Sequence, residues 1–211
     1  MQGGGNLYQS VIFAVQKFLD DNGHLPADLA ELASAAGIDE AGMRVMFSST
    51  EALHEGMIYH AVTLLNDALR AGVIAAATDD PIAQLHSIAH SYVTWAGDNP
   101  ALFRLFVSAM NGTIQPDSTL HRHTSSMRDL YHRKLTEAQR LGILSADTDI
   151  DISMMMLHCL VKGGNMMFLT RKTDPWFADD PRTTVELAEK IFIEFMRNMV
   201  RANSPQSQEA A

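Results

Sequence analysis

Residues 29–53 read Leu29-Ala30-Glu31-Leu32-Ala33-Ser34-Ala35-Ala36-Gly37-Ile38-Asp39-Glu40-Ala41-Gly42-Met43-Arg44-Val45-Met46-Phe47-Ser48-Ser49-Thr50-Glu51-Ala52-Leu53. Leu29, Leu32 and Ala33, then Met43 and Met46, recur at three- and four-residue steps, the period of helices buried on one face. Gly37 interrupts the pattern and marks a tight turn. Two short helices are therefore expected, at about 27–35 and 39–46. Pro26 suits the first position of the earlier one, where its missing N–H is not needed. Ser48-Ser49-Thr50-Glu51 reads as a capping box, with Ser48 as the cap and Glu51 reaching back. Many folds contain two short helices across a turn, so the flanking sequence must decide between them.

The helical period continues in both directions. Upstream, Leu7, Val11, Val15, Phe18 and Leu19 form one stripe over about 6–21, stopped by Asn22-Gly23. Downstream, a long helix at about 49–74 carries Leu53, Met57, Ile58, Val62 and Leu65. Thr78-Asp79-Asp80-Pro81 marks a boundary. Five more helices are expected beyond it, at about 81–97, 99–111, 117–141, 150–170 and 181–201. No alternating strand pattern occurs, so the fold class is all-α with about nine helices. The polar stretch 202–211 is expected to be a disordered tail.

The 211 residues are 46% apolar, with 16 basic and 25 acidic side chains and a net charge of −9. That apolar share is ordinary for a globular chain and too high for a disordered one. The single cysteine, Cys159, excludes a disulfide framework and a Cys-based zinc cluster. No apolar run approaches the roughly 18–20 residues that span a bilayer, and no basic-plus-apolar signal segment opens the chain. No membrane contact and a cytoplasmic location are the expectation.

Motifs for chemistry are missing. The sequence has no phosphate loop, no dinucleotide-binding glycine pattern and no nucleophile elbow, so no enzyme activity and no cofactor are expected. His86 and His90 are four apart, and His121, His123 and His132 share a later helix. No Cys or acidic cluster completes a ligand set, and no metal is expected. Cys159 sits in an apolar helix, where an inert buried thiol rather than a nucleophile is expected.

The stretch from Gly23 to Leu53 resembles the DNA-binding domain of the TetR family without a gap. Gly23-His24, the run Leu29 to Ile38, and Phe47-Ser48-Ser49-Thr50-Glu51-Ala52-Leu53 carry the likeness. A looser likeness continues through Asp80-Pro81, Tyr92, Ala96, Asn99-Pro100, the run Leu102 to Phe106, and Gly163. It spans about 6–201. The resemblance implies a transcriptional regulator, with a three-helix helix-turn-helix domain at 1–60. A long helix joins it to a helical ligand-binding and dimerisation domain at 61–201.

It further implies that base contact falls on Ala41, Gly42, Arg44 and Val45, with Thr50 at the start of the fourth helix. A pocket for a small hydrophobic effector would be lined by Tyr92, Trp95, Phe103, Phe106, Met110, Met127, Met155 and His158. The last two helices are broadly apolar, as in helices buried on more than one side. Met156, Leu160, Gly163, Met167, Leu187, Ile191, Phe195 and Met199 are the expected homodimer face, and the resemblance implies a four-helix bundle there.

Core and turn positions match the family, whereas the DNA-facing positions do not. Where the family begins its second helix with Thr or Ser, this chain has Ala27 and Asp28. Its recognition helix opens with Asp39-Glu40, Arg44 replaces a Tyr, and Thr50 replaces a Lys. Residues 1–60 hold two basic residues, Lys17 and Arg44, against eight acids, a net of −6. Phosphate neutralisation by Lys and Arg supplies most nonspecific and much specific affinity for DNA. Two readings stand: a regulator of a duplex operator, or the same fold acting through protein–protein contact by an acidic N-terminal domain.

Overall fold

In the computed structural model residues 4–202 are described. Among them the chain forms α1 (Gly4–Asn22), α2 (Leu29–Ala36), α3 (Glu40–Met46), α4 (Thr50–Ala76), α5 (Pro81–Asp98), α6 (Pro100–Asn111), α7 (Thr119–Arg140), α8 (Ile150–Thr170) and α9 (Thr184–Ala202), with no strand. Ala202, expected in the tail, is the last residue of α9. The rest of that stretch, and the side chain of Leu7, lie outside the described residues.

Local chemistry sets the helix ends. The Asp28 carboxylate accepts from the Glu31 N–H at 2.8 Å, and the Glu31 carboxylate accepts from the Ala27 N–H at 2.8 Å. This reciprocal cap starts α2 at Leu29, two residues later than the proline suggests, and Pro26 is buried instead. Gly37 ends the helix at φ +68°, and the Ile38 N–H donates back to the Ala33 carbonyl at 3.1 Å. A Cβ is disfavoured in that left-handed conformation, which is why glycine occupies it. Asp39 caps α3 through the Gly42 N–H at 2.6 Å. For α4 the capping hydroxyl is Ser49, which accepts from the Ala52 N–H at 3.2 Å, while Ser48 is exposed. The same hydroxyl donates to the Glu51 carboxylate and lowers its pKa. α9 starts at Thr184 rather than 181 because Thr183 and Glu186 cap each other, at 2.7 and 3.2 Å.

The chain forms two compact units. The first contains the chain up to Leu64 together with Asn99–His121. In it α1 packs on α2 and α6, and α2 packs on α3. Val15, Leu32, Met43, Leu53, Met57 and Leu102 are fully buried there, and Phe47 meets Tyr8 with ring centroids 5.7 Å apart. α6 therefore groups with the N-terminal helices, although it follows the Asp80-Pro81 boundary in sequence.

The second unit contains Leu65–Asp98 and the chain from Arg122 onward. Here α9 lies along α5 and against α8. Val93, Met167, Leu187 and Ala188 form a buried cluster, with Tyr92, Phe168, Phe177 and Val185 around it. α4 approaches α5 at Gly72, where any Cβ would overlap the Ser91 hydroxyl.

One sequence expectation is corrected. α8 is 21 residues long with a mean hydropathy of 1.3 over its most apolar window, which makes it long and apolar enough to cross a membrane. Asp151, His158 and Lys162 interrupt its exposed surface, and Ser153, Leu157, Asn165 and Met167 are buried inside the unit.

Candidate functional site

The helix-turn-helix of the first unit presents α3 outward. Ala41 and Arg44 are exposed, and Val45 is 87% exposed. Gly42 is half-buried with its N–H committed to Asp39, and Thr50 is half-buried at the start of α4. Arg44 donates through Nε and Nη2 to Glu40 Oε1, at 2.9 and 2.6 Å. Lys17 pairs with Asp21 at 2.7 Å. Both basic side chains of the first sixty residues are thus held by an acid one helical turn away. Such exposed pairs are worth only about 0.3–0.5 kcal/mol, so Arg44 can turn to a phosphate at little cost. Glu40 then remains uncompensated beside it. The i,i+4 spacing of Glu40 and Arg44 carries this pairing in the sequence itself.

The second unit buries polar groups among its helices. The Tyr92 hydroxyl donates to Asn165 Oδ1 at 2.9 Å, and burial raises the Tyr92 pKa. Tyr131 is pushed up to about 12 by burial. His123 Nδ1–H donates to Asn66 Oδ1 at 3.1 Å, and burial pulls its pKa down to about 4. Asn66, Tyr131 and Asn165 were not singled out from sequence, because nothing local marks an Asn or Tyr as buried.

The residues expected to line an effector pocket divide between the units. Phe103 and Phe106 are core residues of the first unit, their ring centroids 6.4 Å apart, with Met110 half-buried. Trp95 is buried in the second unit, and Tyr92 and Met127 are half-buried there. Met155 and His158 are exposed on α8. That placement removes both from any interior lining, because α8 turns those positions outward.

A groove of about 390 Å³ lies between the end of α4, α5 and α9, lined by Gly72, Ala76, His86, His90, Glu189 and Phe192. None of the expected pocket residues lines it. His90 Nδ1 and Glu189 Oε1 are 2.8 Å apart, and the His86 ring meets Phe192 edge-on at 5.8 Å. Burial lowers the His86 pKa. Among the described residues no three His, Cys, Asp or Glu are arranged to hold a metal ion.

α8 shows an uncovered apolar stripe. Ile152, Met155, Met156 and Met166 are 52, 62, 51 and 42% exposed, and Cys159 and Gly163 are exposed between them. Of the residues expected at a dimer face, Met156, Gly163 and Ile191 face solvent, and Leu160 and Phe195 are half-buried. Met167, Leu187 and Met199 are instead buried within the second unit. α9 turns its apolar face onto α5 and α8 of its own chain, which leaves those three no surface for a partner.

No family model and no curated protein matches the chain. Solved structures do. A protein of unknown function from Rhodococcus sp. RHA1 superposes with a TM-score of 0.73 at 19% identity, over 94% of this chain and 98% of that one. The fatty acid degradation regulator FadR from Bacillus halodurans gives 0.67 at 14% identity, over 93% and 96%. The TetR family transcriptional regulator PfmR from Thermus thermophilus gives 0.62 at 18% identity, over 89% and 97%. The chain has the TetR-regulator fold. Within the TetR fold the helix-turn-helix is α2 to α3, with Gly37 at its turn and an acidic rather than basic approach to Arg44.

Proposed function

We propose that this chain is a cytoplasmic transcriptional regulator that works as a homodimer and responds to a small hydrophobic effector. The helix-turn-helix carries the reading: a short helix, a left-handed glycine turn, and a second helix that turns Ala41, Arg44 and Val45 outward. An exposed Val45 suits contact with a thymine methyl, and Arg44 suits guanine or phosphate. The outward stripe of α8 supports self-association, since a contiguous apolar face of that length is expensive in water. A fatty acid degradation regulator among the similar folds is consistent with apolar effectors. Effector binding would act by population shift, favouring a separation of the two recognition helices that no longer fits successive major grooves. The reading assigns the chain no catalytic step.

A second reading is favoured by one observation, the pairing of both Lys17 and Arg44 with acids of the same helix. With both of those side chains so paired, the acidic first sixty residues suit a basic protein surface. A salt titration against a duplex library separates the two. Sequence-selective retention at low salt supports operator binding, and its absence leaves the protein-contact reading. Pull-down with an Asp39→Ala/Glu40→Ala variant then decides the latter: an unchanged partner set removes it.

A further inference from the structure

α7 is the basic element of an acidic chain. Its 22 residues hold five of the sixteen basic side chains, Arg122, Arg128, Arg133, Lys134 and Arg140, against Asp129 and Glu137, a net of +3. The other 189 residues therefore carry −12. His123, Leu135 and Ala138 are buried and fix the inner face of the helix, while Arg122, Arg128, Asp129, Arg133 and Arg140 are exposed on the other. Lys134 is half-buried and pairs with Glu137 at 3.0 Å. Arg128 donates through Nε and Nη2 to Asp129 Oδ1, at 3.3 and 3.2 Å. Both acids of the helix are thus covered by its own cations. Among the described residues Arg133 and Arg140 form no ion pair. By contrast, Lys17, Arg44, Arg70, Arg182, Lys190 and Arg197 each face an acid within 4.0 Å.

We infer that this face of α7 binds the phosphate backbone of duplex DNA, without regard to base sequence. This rests on the reading of the chain as a regulator that works on DNA, and it adds a contact outside the helix-turn-helix. At 3.6 residues per turn, Arg122, Arg133 and Arg140 fall within about 20° of one line and span about 27 Å along the helix. Duplex DNA carries one negative charge per roughly 1.7 Å of its axis, so a row of that length meets phosphates at any register. The planar fork of a guanidinium matches a phosphate through two parallel hydrogen bonds. Ser126 and Thr136 are exposed on the same side and offer the hydroxyls that join such contacts.

The make-up of the face selects the occupant. From Arg122 to Arg140 no exposed position carries a large apolar side chain. Protein interfaces are carried by a few buried aromatic or aliphatic anchors, and a helix that lies on a bilayer embeds an apolar face. This face has neither to offer. A hydrated phosphate polymer requires neither, because its attraction comes from counterions released when Lys or Arg meets phosphate, and such interfaces stay wet. Residues 1–60 carry −6, and both of their basic side chains are paired with acids. The sequence-independent attraction that a duplex needs is therefore concentrated on α7.

The test follows the full chain binding to a labelled duplex of arbitrary sequence, by fluorescence anisotropy, from about 50 to about 200 mM salt. Arg133→Ala/Arg140→Ala removes two cations, so the slope of log affinity against log salt should become shallower by about 1.8. The advantage of the wild type should accordingly grow about 12-fold as salt falls across that range. Arg133→Lys/Arg140→Lys keeps both charges and should keep most of the slope. Asp129→Asn releases Arg128 and should steepen the slope by about one contact, a gain that a misfolded protein cannot produce. Lys162→Ala, which removes an exposed cation from α8, should leave the slope alone. Circular dichroism should be unchanged in every variant. An equal salt slope in the wild type and Arg133→Ala/Arg140→Ala overturns the inference, and sequence-selective retention from a duplex library would then still stand for the helix-turn-helix. No retention of any duplex at low salt overturns both. Retention on inorganic polyphosphate or on phosphatidylserine vesicles, at a salt concentration that releases the duplex, overturns duplex DNA as the occupant.

Discussion

Lowering the pH from 7 to 5 should destabilise the second unit, and His123 should account for about 2 kcal/mol of the loss. His123 is 7% exposed, and burial holds its folded pKa near 4 against 6.5 when free. As the pH falls below 6.5 the unfolded chain takes up a proton at this site, and the folded chain does not until about pH 4. Stability from a depressed histidine is thus complete above pH 6.5 and lost progressively down to pH 4. At about 1.4 kcal/mol per pKa unit the full loss is about 3 kcal/mol, of which about 2 kcal/mol falls between pH 7 and 5. His60 and His86 are lowered by burial too and act in the same direction, so the wild-type slope alone cannot assign the effect. His123→Gln isolates it, because the amide can still donate to Asn66 Oδ1 and does not titrate. Urea unfolding is followed through Trp95, which is buried in the same unit. With a slope of about 2 kcal/mol per molar urea, the wild-type midpoint should fall between pH 7 and 5 by about 1 M more than that of His123→Gln. Equal pH dependence in the two proteins would refute the reasoning.

Other outcomes follow from single contacts. Leu32→Ala empties a fully buried site in α2 and should cost about 2–5 kcal/mol, read by thermal or urea unfolding of the first unit. Gly37→Ala places a Cβ at φ +68° and should cost about 1–2 kcal/mol even though the space around it is open. Glu40→Gln removes the acid that holds Arg44, and it should strengthen duplex retention at low salt and steepen the salt dependence by about one phosphate contact. An unaltered salt slope would show that Arg44 does not reach the backbone.

The helical half of the story was legible because its causes are short-range. Gly23, Gly37 and Gly142 all adopt positive φ at the turns where the pattern breaks, and the acids of the first turns cap helices through their own backbone neighbours. Errors there were small and had local reasons. Ser48 and Ser49 are adjacent hydroxyls with the same chemistry, and only backbone geometry selects Ser49. The candidate sites were less legible. Met155 and Met167 look alike in sequence, yet one is exposed and the other buried. The partner of Tyr92 lies 73 residues away, and that of His123 lies 57 residues away.

By itself, then, the sequence determined the helices, their turns, the TetR resemblance and the acidity of the first sixty residues. Each of these depends on residues within a few positions of one another or on a count. Tertiary structure decided which face of α8 and α9 is spent inside the chain, that α6 joins α1, and that Trp176 stands bare on an ordered loop. Helical periodicity shows that a face is apolar, but two apolar faces on one helix are equal until the chain folds back and covers one of them.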